Sequence, residues 1–245
     1  MTFTFCNPTT QSPSHPSSLF PQITSYKTIR DLHQVHTHFI KTRQIHDPLA
    51  AAEILHFYAL STHRSIQYTG PVFTQMEKPN CFSWNTIIRT LAKDSVNDHS
   101  HDALFFFSQM VADGSVGPNK FTFPFVLKAC AIMGNLEVGK CVHAMAVKFR
   151  LENDGFVMSN LVRMYVMCEV MKDANLLFYR SVGDFDVLNG RKQEGNVVLW
   201  NVIVDGCVRL GDFRAAMELF HKMPQRSVVS WNAMISGLGL CVQIM

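Results

Sequence analysis

Apolar residues at Phe213, Ala216, Phe220 and Met223 recur every three or four positions, the spacing of one helix face, and Pro224 then closes the run. The same arrangement appears elsewhere. Ala103 with Phe107, Ala174 with Phe178 and Ala216 with Phe220 each stand four apart, and Met110 and Met223 follow two of these pairs by three. A second pattern is Trp84-Asn85, Trp200-Asn201 and Trp231-Asn232, each preceded by an apolar or small residue. A third joins Val35-His36, Lys41 and Asp47 to Val142-His143, Lys148 and Asp154, at a constant offset of 107 residues.

Recurrence at such intervals marks a repeat architecture. The anchors divide the chain into units of about 13–47, 48–80, 81–119, 120–154, 155–196, 197–227 and a partial 228–245. Each unit reads as two short helices that cannot cover their own apolar face, so neighbours must stack to build a core. The expected fold is all-α, a right-handed α-solenoid of stacked helix-turn-helix repeats. Thr69-Gly70-Pro71 falls where other units carry good helix formers and is expected to delay or kink that helix. Asp184–Gly195 reads as a loop. The last unit is expected to stop after one helix, Trp231 to about Leu238, as in a truncated product.

Composition narrows the function classes. Apolar residues make up 47% of the chain, enough for a buried core, while charged residues make up only 17%. The net charge of +3 is too small to argue for nucleic acid by itself. No apolar run approaches a membrane span, so no membrane insertion is expected. Seven cysteines without a Cys-x-x-Cys pair argue against a zinc ribbon or a disulfide framework. Cys130, Cys141, Cys168 and Cys207 fall in helical segments and read as packing thiols. Residues 1–30 hold five Ser, six Thr and four Pro and no acidic residue, and they form no core. That composition reads as a disordered segment and an organelle transit peptide, the absence of Arg before Arg30 favouring the plastid over the mitochondrion.

Trp-Asn near a first-helix start, with Pro79-Asn80 and Pro118-Asn119 just upstream, resembles the pentatricopeptide repeat. So do Phe121–Cys130, Gly139–His143 and Met223–Asn232. The unequal units resemble the plant subclass that alternates standard, long and short repeats, with 120–154 as a long unit and 48–80 and 155–196 as short ones. Arg43 and Arg150 depart from it, standing where the family usually turns on Gly. The tetratricopeptide alternative expects Trp-x-x-Leu-Gly, which no unit shows.

The resemblance implies a concave groove in which each repeat takes one nucleotide of single-stranded organellar RNA. In that family the fifth and last residues of a repeat read the base, and the second sandwiches it. The matching pairs here are Asn85 with Asn119, Ser159 with Asn196, and Asn201 with Ser227; Asn232 stands without a companion. Phe82, Phe121, Phe156, Val198 and Val229 occupy the sandwiching place. By the family's code these pairs prefer pyrimidines, adenine and cytidine respectively. Ala52 with Asn80 fits that code poorly, and Pro124 with Asp154 belongs to the long unit. The competing reading of these Asn residues is as helix caps.

Other chemistry has little support. The subclass often carries a zinc deaminase-like domain for C-to-U editing, which needs His-x-Glu and a distal Cys-x-x-Cys. Neither occurs, so no enzymatic activity and no cofactor are expected, and editing would require a deaminase or other processing factor in trans. His33, His36 and His38 lie close in sequence, as do Asp98, His99, His101 and Asp102. His36, the counterpart of His143, reads as a packing residue and the second group as a solvated loop, rather than as metal sites. A protein-interaction solenoid, or a non-functional truncated copy of an editing factor, stands as the alternative function.

Overall fold

The computed structural model describes residues 29–43, 45, 47–60, 66–93, 99–183 and 197–244. Residues 1–28, the expected loop Asp184–Gly195, Asn196 and Asp98 lie outside the described residues. Among the described residues there are twelve helices and no strand. None of those helices is long and apolar enough to cross a membrane. The chain divides into two compact units, residues 1–126 and 127–245, each a stack of helix hairpins.

The first unit holds α1 (Ile29–Lys41), α2 (Pro48–Leu60), α3 (Ile66–Thr74), α4 (Cys81–Lys93) and α5 (Ser100–Asp113), with the start of α6 (Phe123–Met133). The second holds the rest of α6, then α7 (Leu136–Lys148), α8 (Gly155–Met167), α9 (Met171–Gly183), α10 (Val197–Arg209), α11 (Phe213–Lys222) and α12 (Val228–Ile244). In the first unit α2 pairs with α3 and lies beside α4, which pairs with α5. In the second, α8 pairs with α9, and α10 lies between α8 and α12 while pairing with α11. First helices thus stack on first helices, the arrangement of an α-solenoid.

The two sequence motifs turn out to be partners. The phenylalanine of each Ala-x-x-x-Phe run meets the aromatic at the start of the next hairpin. Phe73 meets Trp84 at 4.6 Å between centroids and Phe107 meets Phe123 at 6.1 Å. In the second unit Phe178 meets Trp200, and Phe220 meets Trp231, both at 4.8 Å. All four are edge-to-face, an arrangement worth ~0.5–1.5 kcal/mol beyond the area buried. Ala103, Ala174 and Ala216 are fully buried, and Thr69 takes the same place ahead of Phe73.

A different fastening appears at the 107-residue echo. His36 Nδ1 lies 3.3 Å from Tyr58 Oη, and His143 Nδ1 lies 2.9 Å from Tyr165 Oη, with the ring pairs near-perpendicular. Both histidines are packing residues that join a second helix to the next first helix. Burial, then the neighbouring His33, holds the His36 imidazole below its ordinary value. Burial, then Arg180, does the same for His143, against the opposing pull of Asp173 and Glu152. Burial also pushes the Tyr58 phenol up to about 12.

Helix ends are closed by local chemistry. Asn80, Asn135, Asp154 and Asp212 accept backbone N–H bonds at the starts of α4, α7, α8 and α11. Arg226 folds back to donate to the last carbonyls of α11, at Phe220 and His221. Left-handed residues end several helices. They include Gly114, Gly134 and Gly211, but also Arg43 at φ 59°, Arg150 at φ 57° and Glu169 at φ 61°. The two arginines thus adopt the conformation for which glycine is the usual residue.

Several expectations are corrected. Ile29 and Arg30, assigned to the tail by composition, already belong to α1. The helix containing Thr69-Gly70-Pro71 is not delayed; α3 starts at Ile66, runs through Pro71 and closes at Thr74 after nine residues. His101 and Asp102 are not loop residues. They lie in the first turn of α5, where Asp102 Oδ2 meets His99 Nδ1 at 2.8 Å. The final helix extends past Leu238 to Ile244, with Gly237 and Gly239 inside it. Cys130 and Cys207 are buried thiols, pushed up to about 12 and about 11 mainly by desolvation. Cys141 is exposed and so is no packing thiol, whereas Cys168, just past the end of α8, is half-buried against Met164, and burial pushes its thiol up.

Candidate nucleic-acid interface

Asn80, Asn119, Asp154 and Ser227, each the last residue of a unit, bond to the first residues of the next unit. Asn85 stands one position after buried Trp84, about 100° further round α4, and is only partly buried. Its Nδ2 donates to Asn119 Oδ1 at 3.2 Å, although 34 residues separate them. Asn201 Nδ2 likewise donates to Ser227 Oγ at 3.3 Å. Two of the three pairs expected from the sequence are therefore in direct contact. Ser159 donates its hydroxyl to Gly155 O at 2.7 Å within α8, and its companion Asn196 lies outside the described residues.

Neither Asn85 nor Asn201 caps a helix. The caps are their companions and the equivalent residues. Asn119 Oδ1 accepts from Phe121 N at 2.9 Å, and Ser227 Oγ accepts from Ser230 N at 3.3 Å. Each companion's own N–H is returned to a hydroxyl, Thr122 Oγ1 at 3.0 Å and Ser230 Oγ at 2.9 Å, forming reciprocal caps. Capping thus belongs to Asn119 and Ser227, the companions, and not to Asn85 or Asn201. The hydroxyls three places into the next unit were missed altogether, since a Ser or Thr at a helix start reads as an ordinary cap.

In the second unit α8, α10 and α12 together line an open groove of about 470 Å³. Val198, Asn201, Val229 and Asn232 all face it, so two sandwiching positions alternate with two polar ones. Its charged members are Arg163, Asp205 and Arg209, the last donating from Nε to Asp205 Oδ2 at 2.7 Å. Phe82, Phe121 and Phe156 are exposed too, Phe156 to 76%. Phe121 has Lys120 Nζ above its ring at 5.3 Å. Large apolar groups held in solvent beside amides and cations offer stacking surfaces and base-edge partners together. Among the described residues no group of three or more His, Cys, Asp or Glu side chains converges as for a metal ion.

Stacked helix hairpins presenting such a groove define a helical-repeat protein of the solenoid class. Residues 198–228 match the family model of the PPR repeat. A pentatricopeptide repeat-containing protein of Arabidopsis thaliana is 54% identical over 226 residues, covering 90% of this chain and 35% of the relative. A second, named as chloroplastic/mitochondrial, is 29% identical over 93% of this chain and 34% of its own length. A third, named as chloroplastic, is 32% identical over 84% of this chain and 35% of its own, all from the same plant. The chain belongs to the pentatricopeptide-repeat family, and it spans about a third of the length of these relatives.

Proposed function

We propose that this chain binds single-stranded RNA in a plant organelle, taking bases along the faces of its first helices without catalysing a reaction. The observation that carries this reading is the groove over α8, α10 and α12. There Asn201, hydrogen-bonded to Ser227, stands between exposed Val198 and Val229. Valines on either side of a flat base supply stacking area, and the amide supplies both donor and acceptor for its edge. The groove volume falls within the ~300–1,000 Å³ of small-ligand sites, so it suits a nucleotide rather than a duplex.

Asn85 with Asn119 favours pyrimidines in this reading, and Asn201 with Ser227 favours cytidine. Ser159 with Asn196 completes the set for adenine. The alternation of standard, long and short repeats, and a role as site-recognition adaptor for C-to-U editing with a deaminase in trans, extend the same reading. The names of relatives, chloroplastic and mitochondrial, support an organellar location, and the absence of Arg before Arg30 favours the plastid.

The test is gel shift of the purified chain against short randomised single-stranded RNA, followed by sequencing of the bound fraction. Enrichment of particular bases, competed by unlabelled RNA, is expected. Failure of RNA to bind, with retention of a protein on the solenoid instead, would favour the interaction-scaffold alternative.

A further inference from the structure

Resting on that reading, we propose that Thr122 and Ser230 are positioning residues that set the orientation of the base-reading amides of Asn85 and Asn201. Thr122 Oγ1 donates to Asn85 Oδ1 at 2.6 Å, and Ser230 Oγ donates to Asn201 Oδ1 at 2.6 Å. Each hydroxyl stands three places into the next unit, is buried, and already accepts the backbone N–H of the last residue of the preceding one. A hydroxyl has a single proton, and these distances direct it to the amide oxygen.

The consequence is a fixed amide. Asn119 Oδ1 is held as an acceptor by the Phe121 N–H, so Asn85 turns its Nδ2 to Asn119 and its Oδ1 to Thr122; Asn201 repeats the arrangement, its Nδ2 donating to Ser227 and its Oδ1 accepting from Ser230. An Asn side chain offers two N–H donors and two lone pairs. At Asn201 one of each remains for a base, in an order that the two hydroxyls dictate. At Asn85 the Cys81 Sγ lies a further 3.6 Å from Nδ2, and it also accepts from Asn119 Nδ2 at 2.9 Å. The amide there is engaged on more sides. Val197, at the place of Cys81, has no such acceptor, so the Asn201 site keeps the freer donor.

Asn85 and Asn201 are each followed by such a hydroxyl in the next unit. Asn85 is paired with Thr122 and Asn201 with Ser230. Pro124 and Ser159, which carry no amide, are followed at the same place by Val157 and Leu199. Ser83 follows Ala52, and its hydroxyl goes to Asn80 Oδ1 at 3.1 Å instead.

The experiment uses the full chain and a short randomised single-stranded RNA pool, with base enrichment read for wild type, Ser230→Ala and Ser230→Thr. Ser230→Ala is expected to lower the preference at one position by about tenfold, the equivalent of one hydrogen bond. Ser230→Thr should restore it, and the Asn201 side-chain amide protons should exchange with solvent faster in Ser230→Ala alone. Because Ser230 also closes the start of α12, Thr122→Val, nearly isosteric, provides the same comparison at Asn85 in the other unit. Unchanged enrichment in both Ser230→Ala and Thr122→Val overturns the inference while leaving RNA reading in place. A preference lost equally in Ser230→Thr overturns it as well. A wild-type chain that enriches no base at all fails earlier, and sinks the RNA reading together with this inference.

Discussion

Ser227 performs two jobs with one oxygen. It caps α12 through Ser230 N and receives Asn201 Nδ2. Substitutions at the two residues should therefore separate. Asn201→Ala is expected to flatten base preference while helix starts stay intact; Ser227→Ala should also cost ~1 kcal/mol of stability through the lost cap. Ser227→Asp keeps an acceptor at the cap and is expected to move the preference from cytidine toward uridine, changing selectivity by ~1–3 kcal/mol as base-edge contacts do elsewhere. Binding to oligomers carrying each base in turn, at fixed salt, checks all three against urea unfolding of the same proteins. Arg150 makes a second case at this scale. Held at φ 57°, it bears a strain of ~1–2 kcal/mol that glycine avoids. Arg150→Gly should raise the urea midpoint, and a lowered one would show that the arginine side chain contributes more than its backbone costs.

At the level of helices, close approach and buried imidazoles set the sensitivities. A Cβ at Gly206 would meet Val166 Cγ1 at 2.7 Å, and one at Gly237 would meet Val208 Cγ1 at 2.9 Å. The tenth residue of a first helix is thus glycine where the preceding first helix brings a valine against it. Gly206→Ala should destabilise by ~1–3 kcal/mol through overpacking, and Val166→Ala in the same protein should recover part of that loss. The histidines respond to pH. Their folded values lie below the ordinary 6.5, so the unfolded chain takes up protons first as pH falls. Stability is full above 6.5 and declines below it, by at most ~1.4 kcal/mol per pH unit for each histidine. Urea midpoints at about pH 7.5 and about pH 5.5 should show that fall, and replacing His36 and His143 by Gln should flatten it.

How far the sequence disclosed all this also depends on the element. Trp-Asn and Ala-x-x-x-Phe were both visible as recurring words, and each names one side of an interface. That the words bind each other was hidden, because the gap between Phe and its partner changes from hairpin to hairpin. The His36 echo at His143 was legible, but its meaning lay in Tyr58 and Tyr165, which stand at the same offset without a surrounding motif. Thr122 and Ser230 escaped because their long-range bonds exist only once hairpins stack.

For the molecule as a whole, stability in a stacked array is a sum over neighbours. Gly206→Ala should accordingly speed hydrogen exchange in α8, α10 and α12 and leave α2, α4 and α5 unaffected. Equal loss of protection in all of them would mean that the two compact units unfold as one. Trp231 is 54% exposed where Trp84 and Trp200 are each 5% exposed, so α12 should be the least protected of the first helices in this chain.

The dipeptide Trp-Asn has a consequence for how such a chain can change. Trp200 is locked against Phe178 in the core, and its neighbour one step along the helix looks into the groove. The aromatic acts as a tooth on a gear, fixing the azimuth at which the next side chain is shown. A new side chain at residue 201 therefore inherits a ready-made bearing, and the tooth never has to move. Letters can be exchanged one at a time while the spacing of the line stays ruled.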